Sequence, residues 1–521
     1  MKELTSSDYS FPSLIEGNCL YVDKTEYIWK LANFSKGLFF LSRPRRFGKS
    51  LTISTLKAFF EGRKELFKGL AIYDKPHDWK KYPVLHFNFG DCSAIMNTPE
   101  RLQEYLLAKI NQAARLLGIS PEGTYSGLRF ASLLELLAAS GEQAVILIDE
   151  YDKPILDNIS NPDIKGIQQV LKGFYSVLKT YNDNIRFLFV TGVTKFCHVS
   201  LFSDLNNLTD ITMHPDYATM FGYTQAELEH YFGDRIEATA KRLNLTEDEL
   251  KKQLKAWYNG YCFEENSEKV YNPVSIAKFF ENYGKFQNYW FATGTPSFLV
   301  ELAQKTNFNF EDAVSKPVPE VTFDAFEIPN IDPVTLLLQT GYLTIKSTEI
   351  RFNRRYYWLD FPNEEVAEAF STYLLNSYVG KTQREVSNFS VDLAMAFLHN
   401  DLKQARKVLE SFFAGIPYPV HKKSEATFQT IFYAIFRLLG FNIEAESCTN
   451  DGRIDAVVQT EKHIYLFEFK LDHDKSALAQ IRKKEYFKKF LCSGKPVTLI
   501  GVTFDSEKGQ ISSWKSENAV R

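Results

Sequence analysis

The stretch Leu41-Ser-Arg-Pro-Arg-Arg-Phe-Gly-Lys-Ser-Leu51 constrains this chain more than any other. It follows the short apolar run Gly37-Leu-Phe-Phe40, which reads as a buried strand. In Gly48-Lys49-Ser50 the glycine lets backbone N–H groups face a polyphosphate. The lysine reaches the β- and γ-phosphates, and the serine hydroxyl ligates Mg²⁺. Arg43 stands where the general motif G-x-x-x-x-G-K-[ST] has its first glycine. The surroundings still argue for a phosphate-binding loop, because helical apolar spacing at Leu51, Ile53, Leu56, Phe59 and Phe60 begins directly after Ser50. Arg46, Phe47, Gly48, Lys49, Ser50 and Leu51 are therefore the expected ATP-binding residues. Arg45 and Arg46 have three open readings: phosphate contact, contact with a neighbouring subunit, or a surface ion-pair cluster.

About a hundred residues later, Ala144-Val-Ile-Leu-Ile148 is an unbroken apolar run of the kind buried on both faces of a parallel sheet. It ends in Asp149-Glu150-Tyr151-Asp152. An Asp at the end of such a strand holds Mg²⁺ together with the loop serine, which assigns Ser50 and Asp149 to the metal. The adjacent Glu150 is placed to polarise the water that attacks the γ-phosphate. Alone, a Gly-Lys-Ser tripeptide or an acidic pair is commonplace. In this order and context the two together specify nucleotide binding.

Length and composition set the frame. At 521 residues the chain exceeds a single core and suggests about three domains. Its 44 Phe and 27 Tyr supply large cores, so disorder is not expected. A formal charge of −3 argues against wholesale coating of nucleic acid, though not against a local basic patch. Cys19, Cys92, Cys197, Cys262, Cys448 and Cys492 show no C-x-x-C spacing, which fits reduced thiols in a cytoplasm and suggests neither zinc nor disulfides. No apolar run approaches membrane-spanning length, and the N-terminus lacks an apolar signal core, so a soluble cytoplasmic protein without a membrane partner is expected.

Along the chain, strand-like runs at 37–42, 83–89, 144–148 and 185–191 alternate with helical patterns at 50–61, 99–117, 126–139 and 164–180. That alternation predicts an α/β fold with a parallel sheet wrapped by helices. Thr191 ends the last of these strands and reads either as a γ-phosphate sensor or as an ordinary strand-ending threonine. Residues 213–418 are mostly helix-patterned. Within them, Leu336–Ile345 followed by Ile350-Arg-Phe-Asn353 reads as helix, turn and hairpin, similar to a winged-helix lid. The segment Trp257-Tyr-Asn-Gly-Tyr261 reads as core packing or a tight turn.

The last hundred residues carry a second constellation. A helix starting near Ser424 places Glu425 along its buried stripe, with Phe428, Ile431 and Phe432. A carboxylate there needs a partner or a metal. Asn450-Asp-Gly-Arg-Ile-Asp455 turns into one strand, and His463-Ile-Tyr-Leu-Phe-Glu-Phe-Lys470 forms its neighbour. Period-two geometry puts Glu468 and Lys470 on one face, opposite Phe467 and Phe469. Asp455 beside Glu468 makes a pair of hard oxygen donors for Mg²⁺ or Mn²⁺. Lys470 would orient the attacking water or stabilise the transition state. Gln480, on the helix that follows, is a candidate to touch the phosphate or a metal-bound water. That helix also carries Arg482, Lys483, Lys484, Lys488 and Lys489, a basic run that is either a phosphate-tracking face or a solvated surface.

These residues resemble a bacterial AAA-ATPase-like family whose C-terminus is a PD-(D/E)XK nuclease-superfamily domain. The motifs that carry the resemblance are Tyr21-Val-Asp-Lys-Thr25, Arg43–Leu51, Ile146–Asp152, Thr191–Lys195, Gly452-Arg-Ile-Asp455 and Glu468-Phe-Lys470. In that family the Arg-Pro-Arg-Arg form of the loop is usual. The resemblance implies a P-loop NTPase with a RecA/AAA-like sheet over 1–212, a helical lid or linker over 213–418 and a restriction-endonuclease-like α/β domain over 419–521. The expectation is an ATPase fused to a metal-dependent nuclease that handles nucleic acid, in defence against foreign DNA or its processing, with homo-oligomerisation open. The rival expectation is a nucleotide-gated switch carrying an inactive nuclease-like domain.

Overall fold

The computed structural model describes the chain except residues 92–94, 196–206, 291–307, 309, 324–331, 380–381, 415–424, 440–441, 446–447, 450–451, 454–455, 473–476, 486, 506 and 520–521. The chain forms two compact units. One comprises Met1–Trp290 with Pro319–Arg355, and the other Phe291–Val318 with Tyr356–Arg521. The mostly helical stretch after residue 213 is shared between them.

In the first unit, strands β1 (Gly37–Ser42), β2 (Val84–Asn88), β3 (Ala144–Asp149), β4 (Ile185–Gly192) and β5 (Thr209–Asp210) form one sheet in the order β2-β3-β4-β1-β5. Every neighbouring pair is parallel. β1 and β3 are buried along their whole length, which is why both read as unbroken apolar runs. The helices Lys49–Phe60, Pro99–Leu116, Ser126–Ala139 and Ile164–Thr180 match the expected segments to within a residue or so. Aromatic rings lock part of this layer to the sheet: Phe87 meets Phe130 at 5.4 Å and Phe174 at 5.1 Å.

The strand order decides what can meet. β4 lies between β1 and β3, with Leu41 opposite Thr191 and Ile148 opposite Val190. All these strands run the same way. The loop after β1, the acids after β3 and Thr191 on β4 therefore gather at one edge, where ligands of open α/β sheets bind.

Three further helices, Gln225–Leu243, Glu247–Tyr258 and Pro273–Glu281, pack Leu228, Phe232, Leu254, Tyr258 and Phe279 into a second core that also takes Val22. The first two open with reciprocal caps, Thr224 with Glu227 and Thr246 with Glu249, which satisfy otherwise orphaned N–H groups. Helix Pro333–Thr340 ends at the left-handed Gly341 (φ 87°). A Cβ at this glycine would stand 2.7 Å from Pro44, so glycine is required for both conformation and space. Strands Thr344–Arg351 and Arg354–Asp360 follow, turning at Phe352 and Asn353, both at positive φ, as the helix-turn-hairpin pattern anticipates.

The second unit centres on a mixed sheet ordered Gln510–Asn518, Val497–Asp505, Ile464–Leu471, Ala456–Gln459 and Asn442–Ala445. Only Ile464–Leu471 and Val497–Asp505 are parallel. The helix Glu425–Leu438 packs on one face, where Phe432 meets Phe469 at 4.2 Å and Phe436 meets Phe467 at 5.0 Å. Leu466, Ile464 and Val457 face the other way, against Ile481 and Phe490. The α/β architecture with a parallel N-terminal sheet, helical middle and C-terminal mixed sheet is the one the sequence predicts.

Candidate nucleotide site and nuclease-like site

The loop between β1 and its helix has the shape of an anion cradle. Gly48 is left-handed (φ 92°) and caps the helix that starts at Lys49. A Cβ at Gly48 would meet nothing within 4 Å, so the backbone here faces open space. Lys49 is buried and donates to the carbonyls of Arg43 (3.0 Å) and Pro44 (2.9 Å). Burial lowers its pKa, and the charges of Asp149, Glu150 and Asp152 oppose that shift. An arriving polyphosphate would offer Lys49 stronger acceptors than those carbonyls.

Arg43 shows why the general motif's glycine is dispensable here. Its guanidinium donates to the carbonyls of Ser42 (3.0 Å), Thr212 (2.6 Å) and Tyr217 (3.3 Å) and stacks 4.2 Å from the Phe263 ring. Burial lowers its pKa to about 9. Arg43 thus staples the loop base to segments remote in sequence. Phe47 is equally fixed, edge-on to Tyr261 at 4.7 Å and to Phe263 at 5.3 Å. Arg46 adopts φ 68° and donates to the Tyr289 carbonyl at 2.7 Å. Of the nucleotide-binding expectations, Arg46 and Phe47 therefore act at least in part as loop anchors.

At the end of β3, burial raises the pKa of Asp149, while a hydrogen bond from Ser50 and the charge of Lys49 pull it back. The structure thus joins Ser50, Lys49 and Asp149 across the sheet edge. Hydroxyl and carboxylate oxygens are hard donors, the class Mg²⁺ takes. Glu150 sits at φ 52° with Lys153 3.7 Å away, and its carboxylate packs over Gly90, where a Cβ would come within 2.6 Å. Asp152 is different. It accepts from the backbone N–H of Val193 (3.1 Å) and Thr194 (2.7 Å) and from the Thr194 hydroxyl (2.7 Å). It fastens the turn after β4 and has little left to offer a ligand. Thr191 is fully buried, and its hydroxyl has no hydrogen-bond partner among the described residues. Leu51 occupies the first turn of the loop helix and lines the cavity.

A cavity of about 320 Å³ opens over this loop. Part of its wall comes from outside the phosphate-loop and acid motifs: Tyr9, Tyr21 and Lys24 near the N-terminus, and the 220–223 and 273–277 segments of the helical core. The Tyr21–Thr25 motif turns out to be a clasp. Lys24 reaches Glu227 at 2.6 Å and the Thr219 carbonyl at 2.8 Å. Asp23 accepts from Thr25 (2.8 Å) and from the Ala71 N–H (2.7 Å). The motif is visible in sequence, but its partners lie 48 to about 200 residues away.

In the second unit, Glu468 is completely buried and Lys470 lies 3.3 Å from its carboxylate, on the same face of the strand. The ladder with Ala456–Gln459 is described up to Ala456 opposite Phe467. Asp455 lies outside the described residues. Glu425 opens its helix as expected, and its side chain also lies outside the described part. Gln480 sits half-buried on helix Ala477–Lys484, which packs over the strand pair at Gly501. The basic run is not one continuous helix: it breaks at Glu485 (φ 50°) and resumes at Lys488–Leu491. Arg482 is paired with Glu517 and Lys488 with Glu485, so part of that charge is neutralised on the surface. Among the described residues no helix is long and apolar enough to cross a membrane.

Comparison with known proteins agrees with this division. The family model described as Predicted AAA-ATPase matches residues 8–202, and that of the PD-(D/E)XK nuclease superfamily matches residues 423–514. An uncharacterized protein encoded in the vnfD 5′ region of Azotobacter chroococcum mcd 1 is 35% identical over 530 residues, covering 99% of both chains. Among solved structures, the Aeropyrum pernix ORC1 protein in complex with DNA aligns at 14% identity with a TM-score of 0.26, over 67% of this chain and 91% of that one. A likeness that weak has no bearing on the site.

Proposed function

This chain belongs to the AAA-ATPase-like family and ends in a domain of the PD-(D/E)XK nuclease superfamily; from that premise we propose that it is a cytoplasmic ATPase whose nucleotide state governs access of nucleic acid to a metal-dependent phosphodiesterase site. The observation that carries the ATPase half is the topology that brings Gly48, Lys49 and Ser50 at the start of the loop helix and Asp149 at the end of β3 to one sheet edge. Mg²⁺ held by Ser50 and Asp149 would neutralise charge on the β- and γ-phosphates. Lys49 exchanges its loop carbonyls for phosphate oxygens. Glu150 accepts a proton from the attacking water, and the unpartnered hydroxyl of Thr191 reads the γ-phosphate. At the distal site, Asp455 and Glu468 would hold Mg²⁺ or Mn²⁺ and Lys470 would orient the water, with Gln480 and Glu425 as further members of the proposed catalytic set. Defence against foreign DNA, or its processing, is a role that suits this pairing.

One observation favours a second reading, a nucleotide-gated switch whose distal domain only recognises nucleic acid: Glu468 has zero exposure and is already paired with Lys470. The two separate in one assay. Purified protein is incubated with plasmid, single-stranded DNA or RNA and Mg²⁺ or Mn²⁺, beside the Asp455→Ala variant. Cleavage that disappears in the variant is the expected result. No cleavage of any substrate by either protein would leave the switch as the function.

A further inference from the structure

Four cationic side chains line the nucleotide cavity: Lys24, Arg45, Arg46 and Lys49. Three of them are engaged. Lys24 is held by Glu227 and the Thr219 carbonyl, Arg46 by the Tyr289 carbonyl, and Lys49 by the Arg43 and Pro44 carbonyls. Arg45 differs. Its backbone is fixed, because the Trp290 indole N–H donates to its carbonyl at 3.2 Å. The residue is exposed, and its guanidinium makes no hydrogen bond or ion pair with the described residues. It lines the same cavity as Lys49. Two like charges at the mouth of an anion cradle repel each other, and a polyphosphate entering between them turns that repulsion into attraction.

We propose that Arg45 reads the γ-phosphate alongside Thr191, and that it does so within its own chain. The inference rests on the nucleotide reading given above. In the reaction, the water oxygen bonds to the γ-phosphorus as the bond from that phosphorus to the β–γ bridging oxygen breaks. Glu150 takes a proton from the water, ADP keeps the electron pair on the former bridging oxygen, and inorganic phosphate leaves. Arg45 donates to the γ-phosphoryl oxygens, where its planar fork matches phosphate geometry and spreads the developing charge. An anchored backbone with an exposed cationic end suits that role, since the loop position is set and the side chain closes on the third phosphate. ADP lacks that phosphate, so Arg45 distinguishes ATP from ADP. Hydrolysis then requires no arginine from a second copy.

The test uses the full chain, calorimetric titration with Mg-ADP and Mg-ATPγS, and turnover measured over a range of protein concentrations. In Arg45→Ala the ADP affinity should stay within about two-fold of wild type, the preference for ATPγS should collapse, and turnover should fall by roughly 10³-fold. Arg45→Lys should regain part of the preference, because it restores charge without the fork. Wild-type turnover per chain should not change on dilution. Unchanged nucleotide preference and turnover in Arg45→Ala would overturn the proposal. So would recovery of turnover on mixing Arg45→Ala with Lys49→Ala, since that would place the working arginine in trans. If wild type bound ADP but turned nothing over, the ATPγS preference alone would decide. Failure of wild type to bind either nucleotide would instead remove the underlying reading of the site.

Discussion

Asp149 and Glu468 are both buried carboxylates on central strands, yet their surroundings are built by opposite routes. Asp149 is offset by Ser50 and Lys49, residues about a hundred positions earlier that meet it only because β4 spaces β1 and β3 along a shared edge. Glu468 has Lys470 two residues on, a neighbour that strand formation alone supplies. The proximal site is thus a product of the fold. The described part of the distal site is a product of one strand. A long-range site reports on tertiary structure; a local one persists whether or not the domain still works as an enzyme.

The sharpest way to break this contrast is Lys49→Ala. If the proximal site is an assembled phosphate cradle, ATP hydrolysis should fall by about 10³-fold or more, with nucleotide affinity falling alongside it. A turnover assay with matched binding measurements checks this, and a variant with wild-type affinity would end the cradle reading.

Next comes Arg43→Gly, which restores the general motif and should nevertheless weaken the protein by about 3 kcal/mol. It removes the staple to the Thr212 and Tyr217 carbonyls and the stack on Phe263, and it leaves buried acceptors unmet. Urea unfolding of the first unit's transition measures the change. A neutral or stabilising result would show that the staple contributes nothing.

The smallest effect belongs to the local pair. Lys470→Met strands the buried Glu468 charge and should cost about 2 kcal/mol, below the usual range for a buried pair because the Lys470 side chain is 24% exposed. Adding Glu468→Leu should return much of that loss. If the double variant proved less stable than Lys470→Met alone, Glu468 would be satisfied by something other than Lys470.

How much could be read without coordinates follows from the same contrast. Gly48, Lys49 and Ser50 are legible because their chemistry is carried by adjacent residues. Glu468 and Lys470 are legible because strand periodicity fixes their common face. Arg43 looks like a defect in the motif, since its role exists only in its contacts with Thr212, Tyr217 and Phe263. Lys24 belongs to a legible motif, yet neither it nor the 220–223 segment shows in sequence that it lines the cavity, because long-range packing brings them there. Asp152 stands in the same acidic cluster as Asp149 and Glu150, yet the turn after β4 takes up its oxygens.

From the amino-acid order alone came the α/β class, the alternation of strands and helices, and the two sets of candidate site residues, all governed by interactions a few residues long. Tertiary structure decided which of those residues meet. It set the insertion of β4, the stapling of the loop by Arg43, the closing of the cavity by the N-terminal clasp and the exposure of Arg45. Each of these depends on contacts between segments tens to hundreds of residues apart, and such pairings leave no trace in local periodicity.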